Sequence, residues 1–230
     1  MGSEKRGLWV RLTTPWGTPP PERYDWRERI FWLVVAVSYY LFGWFVVGKL
    51  VAWRGVFYDL SLPIDHRIPL WVGFSWGYAS IFGLIALIIL LVRDREIFLK
   101  AARGFLIQSS IAFVVFILVP VRMVGRPDEL AGRMEGVSAA LTAFFYSVDP
   151  PLNLFPSMHL CLGVFSGLVL IEDRPALRWP VYAVILWIAL SVLFVRQHYL
   201  LDAVAGTAMA LFFRWWLYRR PARRAASASR

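Results

Sequence analysis

Six apolar segments constrain this chain before any other feature does. A helix needs about 20 apolar residues to pass through roughly 30 Å of hydrocarbon. The runs at 30–51, 69–92, 104–121, 156–171, 179–195 and 199–218 meet or approach that length, the fourth being short. A soluble domain carries about 25% charged residues. Here 17% are charged, 59% are hydrophobic, and 12 of the 230 residues are Trp. Rings in that number suit the boundary between lipid and water. The expected fold is all-α: a six-span transmembrane helical bundle, in an integral membrane protein of the plasma or inner membrane. The expected division is a tail over 1–29, a membrane domain over 30–218 and a basic tail over 219–230. A polar opening followed by a long first apolar run predicts no cleavable signal peptide. The single cysteine, Cys161, excludes an intramolecular disulfide and a multi-cysteine metal site.

Basic residues orient the bundle. Eighteen of the 25 Lys and Arg fall in the N-terminal tail, the loops after the second and fourth spans, and the C-terminal end. The positive-inside rule then puts both termini in the cytoplasm. The net charge of +10 does not point to nucleic acid, because the basic residues sit between apolar segments and at the ends. The densest cluster, Arg219 to Arg224, fits the anionic lipids of the cytoplasmic leaflet. Between spans three and four, Leu130, Met134, Val137, Leu141, Phe144 and Val148 recur at alternating spacings of four and three. That stripe predicts an amphipathic helix. It either lies in the outer interface or packs over the mouth of the bundle.

The chemistry-bearing residues gather at the other surface from the termini. His159 stands three residues into the fourth span and His198 opens the sixth, whereas His66 reads as an ordinary loop residue. Asp202 follows His198 by four residues, a spacing that puts both on one helix face. A carboxylate there orients an imidazole by accepting one N–H and leaves the other nitrogen free to act as nucleophile or base. The alternative is a structural His–Asp clamp between helices. Ionisable groups at membrane depth are costly, which favours the functional reading. Arg122, Arg126 and Arg196 lie on the same side, as phosphate-binding forks or as snorkelling interface anchors. The N-termini of spans four and six also face that surface and suit an anion. Two histidines, a carboxylate, arginines and helix N-termini together suit phosphoryl transfer from a lipid. Ser75, Gln108 and Ser109 line a cavity or bond between helices; Gly163 and Gly167 pack helices within one chain or between two.

These residues resemble the type-2 phosphatidic-acid phosphatase superfamily. Its pattern is Lys, six residues, Arg-Pro; then Pro-Ser-Gly-His; then Ser-Arg, five residues, His, three residues, Asp. The chain reads Pro156-Ser157-Met158-His159, and Ser191-Val192 followed at the same spacing by His198 and Asp202. The first part keeps only Arg126-Pro127, with Val119 at the Lys position. The resemblance covers Val119 to Asp202. It implies that His198 forms a phosphohistidine, that Asp202 orients it, and that His159 protonates the leaving oxygen. It also implies that Arg126 and Ser157 steady the transferring group, with Arg122 and Arg196 as further substrate-binding candidates. No metal and no cofactor are expected. Val119 and Val192 replace two cations, and a phosphodiester, with about one negative charge less than a phosphomonoester dianion, needs fewer. The forms Phe155 to His159 and His198 to Asp202 are similar to those of the inositol-phosphorylceramide synthase and sphingomyelin synthase branch. The expected activity is thus lipid phosphotransfer to an alcohol or water at the extracytoplasmic surface, with a phospholipid or lipid phosphate in the bilayer as partner. The rivals are a lipid-phosphate phosphatase, acting on phosphatidate or a polyprenyl pyrophosphate, and a non-catalytic lipid transporter.

Overall fold

A computed structural model describes residues 26–124, 126–127 and 135–218. Among them are seven α-helices: α1 (Trp26–Arg54), α2 (Ser75–Leu91), α3 (Arg95–Leu118), α4 (Val137–Val148), α5 (Met158–Asp173), α6 (Arg178–Phe194) and α7 (Leu200–Tyr218). Short 3-10 turns precede α2 at Val72–Phe74 and α6 at Pro175–Leu177. With those turns counted, five helical stretches are long and apolar enough to cross a membrane: α1, α2, α3, α6 and α7.

The sixth expected span, α5, is 16 residues long and lies at the centre. It packs against α2, α3, α6 and α7, and residues 160–167 are buried without a break. A helix apolar on all sides belongs inside a bundle. Its partners carry exposed apolar side chains such as Phe82, Leu118, Trp179 and Leu186, and α1 carries Phe42. α1 is peripheral and packs against α3.

Helix boundaries depart from the apolar runs where polar caps extend them. α1 begins at Trp26 and takes in Arg27 and Arg29. α3 begins at Arg95, nine residues before its apolar run, because the Asp94 carboxylate accepts from Ile97 N at 2.9 Å. That cap satisfies an orphan donor of the first turn, and Glu96–Lys100 pair at 2.7 Å one turn further on. Helix α4 occupies the second half of the expected amphipathic stripe; Leu130 and Met134 lie outside the described residues. Its bundle-facing residues are Ala139, Thr142, Phe145 and Tyr146, while the stripe residues Val137, Phe144 and Val148 point outward.

Small residues let the helices meet, as expected where lipid removes the hydrophobic drive between them. A methyl group at Gly167 would stand 2.6 Å from Ile185 Cδ1 on α6, so the Gly163/Gly167 face packs within one chain. One at Gly206 would stand 2.3 Å from the Ser157 carbonyl oxygen, so α7 runs against the backbone that starts α5. Ser75 and Gln108 bond to protein rather than line a cavity: Ser75 Oγ donates to Ser138 O, and the Cys161 thiol donates to Gln108 Oε1 at 2.9 Å.

Over one end of the bundle the loops form a covering layer. Tyr58 pairs with Val121, and Arg122 with Leu152, through isolated backbone bridges. Beneath them Val121, Met123, Leu154 and Tyr199 form a small apolar cluster.

Candidate active site

The turn between α6 and α7 sets the site. α6 ends with Arg196 N–H donating to Leu193 O at 3.0 Å and Gln197 N–H to Val192 O at 3.0 Å. This is a Schellman closure, whose left-handed position favours glycine. Here Arg196 occupies it at φ 52°, a conformation that costs an L-residue about 1 kcal/mol or more. The reversal directs Gln197 and His198 into the same cleft. His198 is therefore in the turn before α7 and not on the helix itself.

Asp202 lies in the first turn of α7 and is fully buried. Its Oδ2 accepts from Tyr199 N at 2.9 Å, the reach-back half of a capping box. The same oxygen is 3.6 Å from His198 Nδ1. One carboxylate thus caps the helix and faces the imidazole. The other capping acid was not legible locally: Asp65, from the loop before α2, accepts from Leu200 N at 2.9 Å with Oδ1 and from Leu62 N at 2.7 Å with Oδ2. Two opening donors of α7, Tyr199 N and Leu200 N, are therefore spent on carboxylates.

His159 opens α5 from the facing side. Its Nδ1 stands 3.2 Å from His198 Nε2 and 3.3 Å from the Tyr78 hydroxyl of α2. Its Nε2 is 3.9 Å from Asp149 Oδ2, which accepts a 2.6 Å hydrogen bond from Tyr78. Burial pushes the Asp149 carboxyl above the ordinary carboxylate range, opposed by the Tyr78 hydrogen bond and by the nearby His198 and Arg126. Ser157 is the N-cap of α5, accepting from Leu160 N at 3.4 Å, and is fully buried.

The three arginines separate. Arg126 reaches the site from behind: Nη1 donates to Asp149 O at 2.7 Å and approaches Gln197 Oε1 at 3.4 Å, and Nη2 donates to Tyr146 O at 3.1 Å. Its guanidinium also lies over the Tyr146 ring at 4.3 Å. Arg122 is exposed and lies over Phe57 at 5.7 Å. Arg196 is half-buried, with Nε lacking a partner among the described residues. None of the three lines the cleft. The cleft's polar wall is Asp149, Asn153, His159, Gln197 and His198, and Tyr40, Trp44 and Phe116 make an aromatic one.

The sequence reading thus placed the two histidines and Asp202 together, and missed Asp149, Tyr78, Asn153, Gln197 and Asp65. Asp149 had one signal, an acid beside Pro150-Pro151 at the end of an apolar stripe; Gln197 had only its adjacency to His198. Tyr78 had none. The cleft joins a histidine nucleophile candidate, a second histidine at hydrogen-bond distance and a carboxylate behind each, an arrangement capable of covalent transfer with acid–base assistance.

The PAP2 superfamily model matches residues 52–217, more than half of the chain and all of the cleft's polar wall, while Tyr40 and Trp44 precede it. Curated proteins and solved structures returned no match.

Proposed function

The chain belongs to the PAP2 superfamily, and from that premise we propose that it is an integral membrane lipid phosphotransferase working through a phosphohistidine on His198. Membership and the apolar helices support a membrane enzyme of the lipid phosphatase or phosphotransferase kind. The observation that carries the finer reading is the 3.2 Å approach of His159 Nδ1 to His198 Nε2, with Asp202 behind the far nitrogen of His198.

In the first half-reaction the lone pair on His198 Nε2 attacks phosphorus, and the bond to the leaving oxygen breaks. His159 gives that oxygen its proton, while Asp202 stabilises the charge on the Nδ1 side. In the second half, His159 takes a proton from an alcohol or water as its oxygen attacks phosphorus and Nε2 leaves. Asp149 and Tyr78 steady His159. Arg126 and Ser157 support the group in flight from the second layer; Arg122 and Arg196 are the outer candidates for gripping a headgroup.

Transfer is favoured over hydrolysis of a phosphomonoester by the scarcity of cations. Val192 is fully buried and Val119 packs into the apolar cluster under the loops, so neither position supplies charge. A monoanionic phosphodiester tolerates this better than a dianion. The Phe-Pro-Ser-x-His and His-Tyr-x-x-Asp forms support the inositol-phosphorylceramide and sphingomyelin synthase-like branch. The basic-residue asymmetry supports cytoplasmic termini, six crossings with α5 as the short one, α4 in the outer interface, and a site open to the extracytoplasmic side.

The test is turnover of headgroup-labelled phospholipids by the purified protein in mixed micelles, with and without ceramide or diacylglycerol, beside His198→Ala. A new phospholipid that needs an acceptor and vanishes in the variant is the expected result. Acceptor-independent phosphate release would make the enzyme a phosphatase. Equal behaviour of the two proteins would leave a transporter.

A further inference from the structure

Phosphoryl transfer needs donors aimed at the non-bridging oxygens, yet among the described residues the cleft wall beside His198 offers no cation. It offers an amide. Gln197 lines the cleft and is 4% exposed. Arg126 Nη1 lies 3.4 Å from Gln197 Oε1. A guanidinium has donors only, so the amide must turn its oxygen to Arg126 and its NH₂ away. That Nε2 is buried and meets no acceptor among the described residues. A buried donor left unpaired carries its full desolvation cost, and native proteins rarely keep one without a reason. The strained Arg196 turn is what brings Gln197 and His198 to one wall. Strain of this kind collects where geometry serves function.

We propose that Gln197 Nε2 is the donor that holds a non-bridging oxygen of the transferring phosphoryl group beside His198 Nε2, polarised from behind by Arg126. The proposal rests on the reading of His198 as nucleophile. The missing cations at Val119 and Val192 are thereby replaced by one neutral donor in the cleft wall and one guanidinium in the layer behind it. Hydrogen-bond chains strengthen in this way when the outer member is charged. The ligand class follows: a phosphodiester monoanion, which one neutral donor can satisfy, in preference to a dianionic phosphomonoester. Bond changes are those of the two half-reactions; Gln197 keeps its protons throughout.

The experiment uses the full chain in mixed micelles with labelled phosphatidylcholine, phosphatidylethanolamine and phosphatidylinositol, and inorganic vanadate as a mimic of the five-coordinate group. Gln197→Glu keeps an oxygen toward Arg126, which holds it ionised, and replaces the donor with a repelling acceptor. The expected result is a loss of roughly 10²–10³-fold in kcat, the scale for one oxyanion donor, with vanadate inhibition weakened in parallel and KM little changed. If Gln197→Glu fails to accumulate folded, Gln197→Met decides by the same two readouts. A folded variant that keeps kcat and vanadate inhibition within about threefold of wild type, while His198→Ala is inactive, overturns the role of Gln197 alone. Turnover surviving in His198→Ala overturns the nucleophile assignment, and this role with it.

Discussion

The two ends of the bundle solve opposite problems. At the end away from the cleft, charges are paired and capped. Arg95 forks onto Glu28 with contacts of 2.7 and 2.5 Å, and Arg214 meets Glu172. Asp173 accepts from Arg93 N and Asp94 N at 2.9 Å each, closing the turn between α2 and α3. Arg29, buried at the start of α1, donates to the carbonyls of Ile89 and Val92. At the cleft end, Asn153 Oδ1, Gln197 Nε2, His198 Nδ1 and Asp202 Oδ1 are buried without hydrogen-bond partners among the described residues. Two residues there, Asn153 and Arg196, have positive φ. One end is built for stability. The other holds polar groups in readiness, at a cost the rest of the fold must offset.

That contrast is open to attack by mutation. The largest effect belongs to His198→Ala, expected to lower turnover by about 10³-fold or more while the thermal midpoint stays level or rises. A large fall in stability would mean that the cleft end is structural after all. Gly206→Ala sharpens the comparison differently, since its methyl would collide with the Ser157 backbone. Overpacking of this kind costs about 1–3 kcal/mol, and the shift of α5 against α7 should part the histidines, so stability and rate should fall together.

Asp149→Asn comes next, with a loss of about 10²-fold if the carboxylate assists His159. Because burial raises the Asp149 carboxyl, the carboxylate forms only above the ordinary range, and wild-type rate should fall as pH drops through that raised value. The pH–rate profile of the variant should lack this acidic limb. At the opposite end, Glu28→Ala removes the carboxylate that Arg95, a largely buried residue, forks onto. It should cost about 1–3 kcal/mol by denaturation with kcat of the folded enzyme unchanged; a drop in kcat would show that the two ends are coupled. The smallest effect is expected for Asp65→Ala, about 1 kcal/mol for a lost helix cap, measured as a lower midpoint with turnover reduced only a few-fold.

Legibility in the sequence followed the range of the interaction. Spans, basic-residue asymmetry and the four-residue spacing of His198 and Asp202 are local, and the helices α1, α2, α3, α6 and α7 sit where apolar runs sit. Even so, the reason His198 meets Asp202 differs from the helical one: a Schellman turn and a capping carboxylate bring them together, since His198 precedes the helix. The apolar count alone treats α5 as one more span, whereas packing makes it the central helix, surrounded by four others.

By itself, then, the sequence determined that this is a charge-poor chain of long apolar helices, with two histidines and an aspartate at matching ends of two of them. Periodicity and charge position act through neighbours a few residues apart, so they are written in the order of the chain. Tertiary structure alone decided which groups surround those histidines. Tyr78 reaches His159 across 81 residues, and Asp65 caps Leu200 across 135. It also decided that Arg126 stands one layer behind Gln197 instead of in the cleft. Such choices depend on how side chains share space once the helices close on one another, and no local pattern carries them.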